Sequence, residues 1–88
     1  MSWDYRISQR ALKDLRKLGP DAGRRILDFL DARIRNTEDP REFGKALRGE
    51  LGEFWRYRVG DFRILCKLED DVWVVLVVKV GHRRNVYR

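Results

Sequence analysis

Apolar and polar positions alternate at the start of the chain. Trp3, Tyr5 and Ile7 are separated by Asp4 and Arg6, the period of a short strand with one buried face. Ser8 then stands where a helix N-cap belongs, its hydroxyl placed to accept from backbone N–H groups that a first helical turn leaves unpaired. Ala11, Leu12, Leu15 and Leu18 follow at helical spacing, with Arg10, Lys13, Asp14, Arg16 and Lys17 on the other side. Gly19-Pro20 stops this helix, and the proline suits the first turn of the next. That second helix is expected from about Asp21 to Asn36 on a stripe of Ile26, Leu27, Phe29, Leu30 and Ile34. Joined so tightly, the two helices predict an antiparallel hairpin whose apolar side lies on a sheet.

Between Thr37 and Glu53 the pattern is broken by Asp39-Pro40, Gly44, Gly49 and Gly52, which predicts a long connection with one helical turn around Arg41–Ala46. Three strands are expected after it: Phe54–Val59, Phe62–Leu68 and Val72–Val80. Gly60-Asp61 makes a two-residue hairpin turn between the first pair, and Glu69-Asp70-Asp71 joins the second. Val72–Val78 is apolar at every position, the pattern of a strand covered on both faces. The expected fold class is therefore α+β in the order βααβββ, a helical hairpin packed on a curved, mostly antiparallel sheet.

Length and composition narrow this further. Eighty-eight residues fit a single domain, 1–88, with one core. An apolar share of 43% is too high for a disordered basic tail. One Cys excludes an intramolecular disulfide framework, and one Cys with one His cannot make a four-ligand zinc site, so no metal or cofactor is expected. The longest apolar run is far shorter than a membrane-spanning helix, and Met1–Arg6 lacks the basic-then-apolar layout of a secretion signal. A cytoplasmic protein without membrane contact is expected. Lys and Arg number 20 against 14 acids, a formal charge of +6, which favours polyanions or acidic proteins as partners. The excess is concentrated late: residues 54–88 carry 8 basic and 4 acidic side chains, and the last seven carry three Arg and no acid.

The Gly60-Asp61 turn fixes a register in which Val59 lies opposite Phe62, Arg58 opposite Arg63 and Tyr57 opposite Ile64. Trp55, Tyr57, Val59, Phe62, Ile64, Cys66 and Leu68 then share an apolar face that should meet the helices. The other face carries Arg56, Arg58, Arg63 and Lys67, with Phe54 and Leu65 among them, and no acid from either predicted strand. Like charges directly opposite one another cost stability, so the Arg58–Arg63 pair points to a docked anion. Beyond Gly81 the tail adds Arg83, Arg84 and Tyr87. Guanidinium forks bind phosphate and an aromatic ring stacks on an unpaired base, a combination suited to phosphodiester chemistry on RNA. Stabilisation of a crowded anionic transition state would supply most of the rate.

Phe54–Leu65, together with Lys45-Ala46-Leu47-Arg48-Gly49 before it and Val80–Tyr87 after it, resembles the signature of the RelE family of bacterial toxins; Ser8–Leu18 fits the same pattern. The resemblance implies a RelE-like, microbial-ribonuclease-like fold and a ribosome-dependent endoribonuclease (an mRNA interferase). Such a toxin cuts messenger RNA in the ribosomal A site by metal-free attack of the 2′-hydroxyl on the adjacent phosphate. It also implies a RelB-like antitoxin that holds the toxin inactive, with operator DNA contacted only through that complex. Carried over by position, Arg63 matches the phosphate-stabilising arginine, Arg83 the arginine near the leaving oxygen, and Tyr87 the tyrosine that stacks on or activates the nucleotide. Arg56 and Arg58 complete the catalytic set; Lys67, His82, Arg84 and Arg48 are expected to bind substrate. Arg56 and Arg58 stand where some members have lysine, and an arginine cannot give up its proton to act as a base. Tyr87, or next His82, is the expected base.

Two alternatives stand beside it: a ParE-like toxin, which shares this fold but inhibits gyrase and against which the resemblance at Arg83 and Tyr87 argues, and a catalytically inactive module that binds antitoxin or RNA. The surface favours an acidic amphipathic antitoxin helix near the helical hairpin, with the free toxin a monomer. Cys66 is expected to be an inert core thiol, Asp61 a turn residue, and Trp3, Trp55 and Trp73 core or near-core rings.

Overall fold

The computed structural model describes residues 2–47 and 52–82; Arg48, Arg83, Arg84 and Tyr87 lie outside the described residues. Strand β1 (Asp4–Ile7) leads into helices α1 (Gln9–Leu18) and α2 (Pro20–Phe29), and then come β2 (Lys45–Ala46), β3 (Trp55–Val59), β4 (Phe62–Glu69) and β5 (Val74–His82). The sheet order is β1-β5-β4-β3-β2, with β1 parallel to β5 and every other pairing antiparallel. The α+β arrangement of a helical hairpin on a mostly antiparallel sheet is as the sequence predicts.

Local chemistry sets the helix ends. The Ser8 hydroxyl accepts from the Ala11 N–H at 3.1 Å and donates to the Val78 carbonyl at 3.0 Å, so the cap of α1 is also a tie to β5. Gly19, at φ 93°, is the single residue between the helices, and Pro20 opens α2. The core is built from Ala11 and Leu15 of α1, Ala22 and Ile26 of α2, and Tyr57, Phe62, Ile64, Cys66, Val75, Val77 and Val80 of the sheet. Burial pushes the Cys66 thiol pKa up, leaving it protonated and inert as expected.

Four expectations need correction. The second helix does not run regularly to Asn36. It widens at Leu30–Ile34 into a π turn, closed by the Arg35 N–H to the Leu30 carbonyl at 2.9 Å. Ile26, Leu30 and Ile34 are all fully buried at intervals of four residues. Four residues overshoot one α-turn, and the wider turn brings Ile34 back onto the same line. The helical turn expected at Arg41–Ala46 is a 3₁₀ turn at Pro40–Phe43, followed by β2, a strand too short to leave a periodicity. Gly44 joins them because a Cβ there would collide with the Arg56 carbonyl and the Trp55 and Tyr57 rings.

The third correction concerns the late apolar run. β5 begins at Val74: Val72 is 61% exposed, and Trp73 is exposed at φ 58°, its ring leaning on Trp3 at 5.9 Å. Those two residues belong to the turn that reverses the chain, in which the Val72 N–H reaches the Glu69 carbonyl. The fourth is a register shift. Leu65 pairs with Lys79 but Cys66 pairs with Val77, so Val78 is an extra residue in β5. Strict alternation from Val75 and Val77 would bury Lys79. The bulge instead turns Val80 inward and Lys79 to the opposite face.

Candidate functional site

The hairpin register is as expected, with Val59 opposite Phe62, Arg58 opposite Arg63 and Tyr57 opposite Ile64. Gly60 supplies the positive φ, 58°, at the first turn position, as a type II′ turn requires. Side chains on the helix-free face can therefore be read row by row across the sheet. One row runs Lys45, Arg56, Leu65, Lys79; the next holds Arg58, Arg63 and Gly81. A third runs Lys67, Leu76, Arg6, and the last holds Glu69, Val74 and Asp4. The face is thus positive towards the β3–β4 hairpin and acidic at the far end. Glu69 falls on this face because β4 is one residue longer than the predicted strand.

The cations are not equivalent. No acid among the described residues lies within ion-pair distance of Arg56, Arg58 or Arg63. Arg63 is oriented by its own turn, Nη1 donating to the Gly60 carbonyl at 3.3 Å and the Phe62 carbonyl at 3.2 Å. Lys67 is differently placed: its ammonium lies 3.9 Å from Glu53 and 5.6 Å from the Phe54 ring centre, so it is partly neutralised. Leu65, on the same face, is only 5% exposed. Glu42, Phe43, Gly44, Lys45, Arg56 and Arg58 line a pocket of about 240 Å³ between the 3₁₀ turn and β3.

The turn that walls this pocket is firmly held. The Asp39 carboxylate caps it through the Arg41 N–H at 3.0 Å, and the buried Tyr57 hydroxyl donates to the Pro40 carbonyl at 2.7 Å. Arg41 forms a two-pronged bridge to Asp70 at 3.1 and 2.9 Å. That hydrogen bond raises the Arg41 pKa and holds the Asp70 carboxyl below its usual range.

Of the residues singled out from sequence, Arg56, Arg58 and Arg63 share one face, and Lys67 stands on it further along. His82 does not join them. It pairs with Phe62 in register and packs edge-on against that core ring at 4.6 Å, on the helix side of the sheet. Sequence reasoning missed Arg6, Lys45, Lys79 and Glu42. Arg6 was visible in the Trp3–Ile7 alternation, whereas Lys79 was hidden by the bulge and Lys45 by a strand only two residues long.

A different surface lies across the helices. Leu12 and Leu27 are exposed on α1 and α2, and with Leu15, Gly19, Pro20 and Gly23 they line an apolar groove of about 680 Å³. Arg16 and Arg24, together with Asp28 and Asp31, rim it. No helix among the described residues is long and apolar enough to cross a membrane.

Residues 5–87 match the family described as the ParE toxin of type II toxin–antitoxin systems. The chain is 31% identical to Toxin RelG of Mycobacterium tuberculosis over 88 residues, covering 100% of this chain and 99% of that one. The crystal structure of the toxin–antitoxin complex RelBE2 from the same organism aligns with a TM-score of 0.84 at 29% identity, covering 94% of this chain and 100% of that one. The archaeal RelE–RelB complex from Pyrococcus horikoshii aligns with a TM-score of 0.72 at 27% identity, over 97% of this chain and 99% of its counterpart.

Proposed function

This chain belongs to the RelE/ParE family of type II toxins, and we propose that it acts as a ribosome-dependent endoribonuclease that cuts messenger RNA in the A site. The observation that carries this reading is the Arg58–Arg63 pair, two like charges held opposite each other with no acid in ion-pair range among the described residues. Such a pair opposes folding and gains a use when a phosphodiester docks across it. The substrate 2′-oxygen attacks the adjacent phosphorus, the bond to the 5′-oxygen breaks, and the guanidinium groups of Arg58 and Arg63 stabilise the charge that builds on the phosphoryl oxygens. Arg56 and Lys45 extend the cationic surface along the strand path, and Arg6 and Lys79 widen it. Arg83, Arg84, Tyr87 and Arg48 stay in this proposal on the family resemblance.

Primer extension on messages from expressing cells tests the reading. Breaks within codons of translated messages are expected for the parent and none for Arg63→Ala. The matched family model is named for ParE, which keeps gyrase inhibition as the second reading. Loss of supercoiling by purified gyrase, with messages intact, would replace the first reading with the second.

A cognate antitoxin is the supported partner, since the RelBE neighbours are toxin–antitoxin complexes. We place its docking helix in the α1–α2 groove, where Leu12 and Leu27 offer uncovered apolar area and Arg16 and Arg24 meet acidic flanks. The toxin is proposed to work in the cytoplasm, alone as a monomer or with its antitoxin.

A further inference from the structure

The arginine pocket contains a carboxylate that the family resemblance does not assign. Glu42 lines it beside Arg56 and Arg58, yet forms no ion pair with either, so the acid and the two bases face a common space without closing on each other. At about 240 Å³ that space suits one ribose–phosphate unit; drug-sized ligands take roughly 300–1,000 Å³. Glu42 rides on the turn fixed by Asp39, by the Tyr57–Pro40 hydrogen bond and by the Arg41–Asp70 bridge, which places it on a rigid mount. Its own carboxylate has no hydrogen-bond partner among the described residues. Arg56 and Arg58 cannot accept the proton and His82 lies on the opposite face of the sheet, while Tyr87, the base expected from sequence, lies outside the described residues.

Resting on the nuclease reading above, the geometry points to Glu42 as a catalytic residue that takes the proton from the attacking 2′-hydroxyl. The oxygen–hydrogen bond breaks toward the Glu42 carboxylate as the 2′-oxygen–phosphorus bond forms. The phosphorus–5′-oxygen bond then breaks, and the departing oxygen takes a proton from water. The products are a 2′,3′-cyclic phosphate and a 5′-hydroxyl end, with Glu42 left protonated until it returns its proton to solvent. Arg56 and Arg58 hold the phosphate while Glu42 acts on the sugar.

The test is single-turnover cleavage of a defined message positioned in the A site of purified ribosomes, comparing the parent with Glu42→Gln and Glu42→Ala. Glu42 is exposed, so both variants should keep the parent's thermal midpoint. Both are expected to lose about 10²–10⁴-fold in rate, the usual contribution of general acid–base catalysis. Formate, a small carboxylate able to enter the vacated space, is expected to restore part of the rate to Glu42→Ala and none to Glu42→Gln. A Glu42→Gln chain that cuts as fast as the parent overturns the assignment while leaving the nuclease reading in place. A slow Glu42→Ala chain that formate does not rescue also overturns it, giving Glu42 a scaffold role. A parent chain that cuts no message overturns both.

Discussion

The Asp14 carboxylate accepts a hydrogen bond from the Val80 backbone N–H at 3.0 Å, joining the middle of α1 to β5 just past its extra residue. Ser8, six positions earlier, makes a second tie, its hydroxyl donating to the Val78 carbonyl. A bulge leaves backbone groups outside the regular ladder, and unpaired buried groups are costly. Two polar side chains of α1 therefore stabilise the shift that turns Lys79 toward the basic face.

Asp14→Ala should lower unfolding stability by about 1–3 kcal/mol, the range for leaving a partly buried donor unsatisfied. Asp14→Asn keeps an acceptor and should lose less. Urea denaturation in an Arg63→Ala background measures both, and equal midpoints for all three chains would show that the Asp14–Val80 bond does not hold the bulge.

Arg58→Ala should separate stability from activity. Removing one member of a like-charged cross-strand pair leaves the denaturation midpoint unchanged or raises stability by up to about 1 kcal/mol. Message cleavage should fall in the same variant. A lower midpoint together with full activity would reverse the roles assigned to this pair.

Tyr57→Phe removes the 2.7 Å bond to the Pro40 carbonyl from a fully buried site. A loss of about 1–3 kcal/mol is expected by denaturant titration. Cleavage should slow as well, because the turn carrying Glu42 loses one of its ties. A variant with unchanged stability would place that hydroxyl's contribution near zero.

Alkaline stability should depend on Tyr5. Its phenol pKa is pushed up to about 12, first by burial and then by its 2.5 Å hydrogen bond to Asp31. The folded chain favours the protonated phenol, so this contribution is fully present below the unfolded value near 10 and is lost as pH rises through 12. Tyr5→Phe should flatten the decline in denaturation midpoint between pH 10 and 12. An unchanged slope would assign the decline to other groups, Tyr57 and Cys66 among them.

Leu12→Glu and Leu27→Glu put charge into the α1–α2 groove at exposed positions, so folding should be little affected. Affinity for the proposed cognate antitoxin, measured by calorimetry, should fall sharply for both. Unchanged affinity would move the docking helix elsewhere.

Much of this molecule is legible in one dimension. Ser8, the Gly19-Pro20 stop and the Gly60-Asp61 turn each act over a few residues, so α1, the start of α2 and the β3–β4 register follow from local chemistry. That register alone puts Arg56, Arg58 and Arg63 on one face. Residues Phe54–Leu65 and their flanks also carry the family resemblance, because sequence similarity needs no coordinates.

The remaining features depend on contacts between distant segments. The π turn answers the need of Ile34 to follow Leu30 onto the sheet, and β2 exists only because Gly44 lets the chain approach β3. The bulge is set by α1 through Ser8 and Asp14, about seventy residues away in sequence, as the separations of 70 and 66 positions attest. Glu42 shares a pocket with Arg58 because its turn is pinned by Tyr57 and Asp70. Hydrophobic period and turn chemistry are short-range and so can be read from neighbours. The pocket, the reversed side of Lys79 and the separation of His82 from the arginines come from pairing and packing across the whole chain, which only the folded structure decides.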